Sequence, residues 1–206
     1  MKKIVCLLLL SVFLLSGCGK KNMDSVVNDF ATKVNDTKSY IMKGDMEIYA
    51  NEETFTYSIE VNFLKDNYYK AIMVNQTNNH EQIILRNQDA VYVITPSLNK
   101  SFKFQSDWPN NSSQAYLLQS IASDMKKDSG ITIEEVDNAF VVKSAVNYLN
   151  NPELKYQKTT ITKDGEIKKN EIYDEKDKLK MKVTFTSIDY KAGLKEDNFK
   201  LEDYIK

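Results

Sequence analysis

Histidine occurs once in the 206 residues, at His80, and cysteine twice, at Cys6 and Cys18. That shortage removes most metal and nucleophilic chemistry. A zinc site takes three or four ligands, and an acyl-transfer triad needs a histidine beside its nucleophile. No G-x-S-x-G elbow is present either. Glycine (6) and proline (3) are scarce, which excludes collagen-like, linker-like and low-complexity chains. The net charge is −1, so no basic field draws the chain to nucleic acid. No catalytic residue, metal ligand or cofactor emerges from this content. Arg86 is the only arginine, and asparagine is abundant; the composition is that of a low-GC genome.

What is present is the make-up of a globular chain, 42% hydrophobic and 28% charged, preceded by a leader. Lys2 and Lys3 come first, then an apolar run over residues 4–15, then Ser16, Gly17 and Cys18. The run is shorter than the ~20 residues a membrane helix needs. It has the length of a secretory h-region. Leu15-Ser16-Gly17-Cys18 resembles a bacterial lipobox, which implies cleavage before Cys18 and diacylglycerol on its thiol. Residues 1–17 are therefore expected to be a lipoprotein signal peptide and Cys18 the lipid attachment site. Two or three acyl chains, at ~0.8 kcal/mol per buried CH₂, anchor a protein stably. Cleavage also removes Cys6, so no disulfide can form and the exported fold must rest on its core. Residues 18–22 form a short lipidated leash, and 23–206 are expected to form one domain.

Residues 23–38 carry a helical stripe of Val26, Val27, Phe30 and Val34, with Asp24 as an N-cap. From Tyr40 the period becomes two. Phe55, Tyr57, Ile59, Val61 and Phe63 alternate with polar residues in the clearest strand of the chain. Six strands are expected between Tyr40 and Gln105, the third over Tyr68–Asn75 and the fourth over Glu81–Arg86, separated by polar turns. A second helix follows, capped by Asn111, Ser112 or Ser113, with Tyr116, Leu117, Leu118, Ile121, Ala122 and Met125 on its apolar face. Strands resume over Thr132–Val136, Ala139–Ser144, Tyr156–Thr162, Glu166–Tyr173 and Lys180–Tyr190, with Lys163-Asp164-Gly165 as a hairpin turn. Asp197–Lys206 reads as a charged closing segment. The sum is an α+β fold: a single antiparallel sheet of about 11 strands. A sheet this long must curl or be covered, and the two helices have the apolar faces to cover its concave side.

Candidate functional residues are few. His80 lies in a polar turn and reads as solvated. Glu52 with Glu53, Glu134 with Glu135, and Glu175 with Asp177 read as surface carboxylates. Lys163, Lys168, Lys169, Lys176, Lys178, Lys180 and Lys182 are interleaved with acids, the pattern of a solvated hairpin. Phe55, Tyr57 and Phe63 are either core or the lining of an apolar cavity. Trp108-Pro109 is either a staple under the second helix or an exposed anchor.

The order lipobox, helix, six-strand meander, helix, closing strands resembles the LolA/LolB lipoprotein-carrier superfamily. The stretch Ala90–Met125, AVYVITPSLNKSFKFQSDWPNNSSQAYLLQSIASDM, carries most of the resemblance. It implies a strongly curved, half-open sheet with helices on its concave face, where family carriers hold acyl chains. Residues 107–124, DWPNNSSQAYLLQSIASD, are similar to anchored members from spore formers. That similarity implies a non-enzymatic lipoprotein that supports a spore-cortex N-acetylmuramoyl-L-alanine amidase, outside the membrane of a spore or forespore. A lipid or lipoprotein carrier is the alternative. A free sheet edge makes a homodimer plausible in either case.

Overall fold

The computed structural model describes residues 23–50, 52–66, 68–88, 90–104 and 112–205. Residues 1–22, where a signal peptide, a lipidated Cys18 and a leash are expected, lie outside these, with Asn51, Trp108, Pro109 and Asn111, as do the side chains of Asp24 and Ser113. Helix α1 (Met23–Asp36) leads into strands β1 (Ser39–Ala50), β2 (Glu53–Leu64), β3 (Tyr68–Asn75), β4 (Glu81–Arg86), β5 (Val91–Thr95) and β6 (Lys100–Phe104). Helix α2 (Leu118–Lys127) follows. The chain closes with β7 (Thr132–Val136), β8 (Ala139–Ala145), β9 (Leu154–Thr162), β10 (Ile167–Asp174) and β11 (Leu179–Asp189). Among the described residues no helix is long and apolar enough to cross a membrane.

All eleven strands form one open sheet in the order β6-β5-β4-β3-β2-β1-β11-β10-β9-β8-β7. Every pairing is antiparallel, and each joins neighbours in sequence except that of β1 with β11. That seam joins two meanders into a single sheet. It carries a bulge between Lys43 and Gly44. A Cβ on Gly44 would stand 2.2 Å from the carbonyl oxygen of Thr184 on β11, so only glycine lets the two backbones approach this closely.

The helices lie on one face of the sheet. Val26, Val27, Phe30, Ala31 and Val34 of α1 are buried there with Leu118, Ile121, Ala122 and Met125 of α2. Helix α2 begins later than the sequence predicts. The Ser112 hydroxyl accepts from Asn151 Nδ2 (2.9 Å) instead of capping the helix. Ala115, Tyr116 and Leu117 are all buried, a continuous apolar run that an amphipathic helix could not bury at once. The first turn is closed by Tyr40, whose hydroxyl accepts from Leu118 N (3.4 Å) and donates to Gln119 Oε1 (2.9 Å). Burial pushes the Tyr40 phenol far above its ordinary range, so it stays protonated and able to donate.

A buried polar network ties this segment to the sheet. Asn170 Nδ2 donates to Ala115 O (3.3 Å) and to Gln157 Oε1 (3.0 Å), and Thr159 Oγ1 donates to Asn170 Oδ1 (2.8 Å). Gln157 Nε2 donates to Ser144 Oγ (3.1 Å) and Ile121 O (3.4 Å). All four side chains are essentially inaccessible to solvent.

The opposite face has its own core. Leu64, Tyr68, Ile83, Leu85, Tyr92 and Ile94 project there from β2–β5 and surround Phe199. The closing segment is thus not merely charged, as the sequence reading had it. Short 3₁₀ turns at Glu196–Phe199 and Leu201–Asp203 press Phe199, Leu194, Leu201 and Ile205 onto the sheet. The apolar run Ile83-Ile84-Leu85 in β4 is buried on both faces for this reason.

Three predictions follow from this packing. Gly44→Ala is expected to lower unfolding stability by about 3 kcal/mol in urea titration, because the seam cannot relax without losing its register. Asn170→Ala strands the Thr159 hydroxyl, the Gln157 carbonyl and Ala115 O, and is expected to cost about 3 kcal/mol in the same assay. Asp124 on α2 is buried with Oδ2 unpartnered, and burial raises its pKa from 3.8 to about 6. A raised carboxyl pKa favours the fold while the group is protonated. Stability is therefore lost as pH rises from about 4 to about 6, and stays lost above that. The Tm of the native chain should fall across that window relative to Asp124→Asn, whose difference curve isolates this group.

Candidate functional site

The helices and the segment 112–118 leave part of the sheet's helix face open. A cavity of about 570 Å³ lies there. Its floor is Met46 and Ile48 of β1, Tyr57 of β2, Met73 of β3, Ile84 of β4, Val93 of β5 and Met181 of β11. These positions are brought together by strand alternation, since each is the inward residue of its pair step: Met46 faces Tyr57, Ile48 faces both Phe55 and Met181, and Ile84 faces Val93. Ser112 and Asn151 reach over from their loops, joined to each other by the hydrogen bond between them. His80 and Gln82 add polar groups at the side. Three methionines give the floor adaptable, polarizable surface that repacks around varied apolar shapes. Phe102 of β6 pairs with Val93 and Phe104 with Val91, so the apolar floor continues to the sheet's free edge.

The residues singled out from the sequence fall as follows. His80 is exposed in the turn after β3, where its backbone N–H donates to Asn78 Oδ1 (2.9 Å), and its side chain borders the cavity. Glu52, Glu53, Glu134, Glu135, Glu175 and Asp177 are exposed. Glu135 pairs with Lys163 (2.6 Å), and Asp177 accepts from Tyr156 (2.7 Å). The lysine-rich strands make ion pairs within the sheet: Lys169 with Glu171 (2.9 Å) and Lys182 with Glu47 (2.7 Å). The Lys182 ammonium and the Tyr49 hydroxyl hold the Glu47 carboxyl below its ordinary range. The three aromatics of β2 divide: Phe63 stacks on Tyr40 in the core (5.0 Å between centroids), Tyr57 lines the cavity, and Phe55 is exposed beside the β1–β2 turn. Among the described residues no three histidine, cysteine or acidic side chains converge as a metal site would require.

Two larger or comparable hollows have different chemistry. One of about 760 Å³ lies between the α1–β1 connection and the C-terminal segment, lined by Asp36, Lys38, Lys65, Asp66, Lys195 and Glu196. Its charges cancel. Another of about 500 Å³ on the opposite face is bordered by Asp128, Lys143, Tyr156 and Lys158. The Lys143 ammonium sits 4.0 Å from the Tyr156 ring centre, and Tyr156 stacks on Tyr173 at 5.0 Å, so these groups are already satisfied by one another. The apolar cavity is the hollow whose lining lacks such internal partners, and it is the candidate site. The sequence reading offered a cavity as one fate for the β2 aromatics. It did not identify Met46, Met73 or Met181, whose shared inward register is the signal that could have found them.

No family model matches the chain. In sequence it is 36% identical over 201 residues to the sporulation protein YdcC of Bacillus subtilis, a match covering 96% of this chain and 60% of that protein. The chain thus spans about 60% of the length of its curated relative. In structure it resembles an uncharacterized conserved protein of Thermus thermophilus (TM-score 0.57, 9% identity, 89% of this chain and 98% of that one). It also resembles a domain assigned to outer membrane lipoprotein sorting in Vibrio parahaemolyticus (TM-score 0.50, 11% identity, 89% and 99%). A further match is to the structure of the CwlD amidase of Clostridioides difficile in complex with the GerS lipoprotein (TM-score 0.46, 15% identity, 84% and 98%). At such identities the structural likeness is one of fold. The chain therefore has the open-sheet, LolA-like fold that its sequence resemblance implies, and in sequence it is a relative of a sporulation protein.

Proposed function

We propose that the chain is an exported lipoprotein, anchored through Cys18 to the outer side of a spore or forespore membrane. Its role is to bind and support a cell-wall N-acetylmuramoyl-L-alanine amidase in modifying the spore cortex, the step on which germination depends. The observation that carries the sporulation context is the 36% identity to YdcC along 201 residues. The lipobox supports the anchor, and the similarity of residues 107–124 to anchored members from spore formers supports the amidase partner. A non-enzymatic role accords with a chain whose only histidine borders a turn and whose candidate carboxylates are spread over separate surface positions.

A second reading has its own observation. The cavity of about 570 Å³, floored by Met46, Met73 and Met181, has the volume and softness to take an acyl chain. In that reading the protein is a lipid or lipoprotein carrier or receptor. Self-association is also consistent with the edges. Strand β6 offers Phe102 and Phe104 on a free edge, whereas β7 presents Glu134 and Glu135, which repel a second copy.

One experiment separates these readings. The full chain, tagged at its C-terminus in the native host, is crosslinked mildly and captured. Proteins and lipids in the eluate are then identified by mass spectrometry. A single amidase at near-stoichiometric yield is the expected result. Acyl lipids or lipoproteins without a hydrolase would replace the adaptor reading with the carrier reading, and Met73→Trp, which puts an indole into the cavity, should then weaken lipid capture while leaving the Tm within a few degrees. A differently tagged second copy in the same cells reads self-association directly.

A further inference from the structure

Six large apolar side chains stand exposed among the described residues. Phe102 and Phe104 belong to edge strand β6 and Val136 to edge strand β7. Of the other three, Phe55 (38% exposed) lies at the start of β2, and Leu98 (61%) and Leu149 (71%) belong to two separate connections. Phe55 follows the β1–β2 hairpin, Leu98 sits in the 3₁₀ turn between β5 and β6, and Leu149 lies in the loop between β8 and β9. The strand registers place all three at the same end of the sheet. Ile48 faces both Phe55 and Met181, Tyr57 faces Asn75, and Ala145 faces Tyr156. His80 and Asn151, at the side of the cavity, belong to this end too. At the other end the turns at Lys65-Asp66, Asn87-Gln88 and Lys163-Asp164-Gly165 carry no large apolar residue, and the exposed apolar side chains there, Phe104 (42%) and Val136 (44%), are the last residues of the two edge strands rather than turn residues.

The chain enters the fold at the end with the apolar tips. Helix α1 finishes beside the start of β1, at the polar end, where Lys65 N donates to Lys38 O (2.8 Å). Its beginning therefore lies toward the other end. There Lys126, in the last turn of α2, donates to Asn28 (2.7 Å), and Asp128 just beyond accepts from Ala145 N at the end of β8 (2.8 Å). Cys18 is five residues before Met23. Fully extended, that leash reaches roughly 18 Å. A domain held so closely by that end has little freedom to turn it away from the anchor.

We infer that the sheet end bearing Phe55, Leu98 and Leu149 around the cavity rests on the lipid surface to which Cys18 tethers the chain. The inference depends on the anchoring proposed above. The three side chains stand on separate tips with asparagines between them, at Asn78, Asn79, Asn99, Asn147 and Asn150. Protein interfaces concentrate their apolar residues in one packed centre. Scattered tips instead suit a fluid interface, into which each inserts independently. Charges at this end are mixed: Glu52, Glu53, Glu153, Glu175 and Asp177 against Lys100, Lys155, Lys176 and Lys178. Attraction to anionic headgroups comes instead from Lys20 and Lys21 on the leash. The cavity then opens near the acyl region, and a protein partner is left the polar end, the outer face or an edge.

The test uses the processed full chain from its host, in which Cys6 is removed and Cys18 is acylated, so an introduced thiol is unique. Leu98→Cys, Leu149→Cys, Gln88→Cys and Asp164→Cys each receive an environment-sensitive dye. The four proteins are reconstituted in phosphatidylethanolamine–phosphatidylglycerol vesicles with ordinary or brominated acyl chains. Bromine should quench the dyes at 98 and 149 at least about threefold more than those at 88 and 164. Equal quenching at all four sites, or none, on protein whose intact mass shows lipid on Cys18, overturns the docking surface and leaves the anchor standing. Protein without lipid overturns the anchor. If such protein still floats with the vesicles and shows the same pattern, the docking surface stands alone; if it leaves the vesicles, both fall.

Discussion

The pairing of β1 with β11 is the constraint on which everything else depends. Each other strand pair joins segments adjacent in sequence and could form as part of a local meander. Only the seam makes one sheet of two, and only a single sheet gives both helices and the cavity a common floor. The seam tolerates no side chain at Gly44, because Thr184 O occupies the space. The bulge at that point places Thr186 of β11 as the extra residue, so that Phe185 and Ile188 both turn to the face of Met42 and Met46.

Two different chemistries then finish the helix face. Over β8–β10 the interface is dry but polar: Ser144, Gln157, Thr159 and Asn170 satisfy one another and fix the main chain of residues 115–121. Such a network specifies one position for α2, where an apolar surface would allow it to slide. Over β1–β5 the lining is soft and unclaimed. A rigid half beside an adaptable half is an arrangement in which a ligand or partner can reshape the second without disturbing the first. Phe199 seals the outer face of β4 and β5, so that part of the cavity floor is buried on both sides.

Much of this was legible in the sequence. Strands β3, β4 and β7 have the expected bounds, because their turns are marked by polar clusters and their apolar periods are clear. The sheet count and the resemblance to the lipoprotein-carrier fold also held. Three features were not legible, each for a physical reason. In β9 the inward residues are Gln157, Thr159 and Ile161, while Tyr156 faces out, so hydrophobicity points to the wrong face. Helix α2 starts late because Ser112 spends its hydroxyl on Asn151, a partner distant in sequence. The closing segment hides one essential phenylalanine among charges, and the only hint was the two-sided apolar run of β4.

The placement of β11 and Phe199 bears on how the fold closes. The last of the eleven strands in sequence is the partner of the first, and Phe199, which the outer core surrounds, follows that strand. The two meanders can each form from local pairings, but the seam exists only once residues as far apart as Ile48 and Met181 have met. The topology thus makes closure of the sheet a late and collective event, in which the common floor and the outer core appear together.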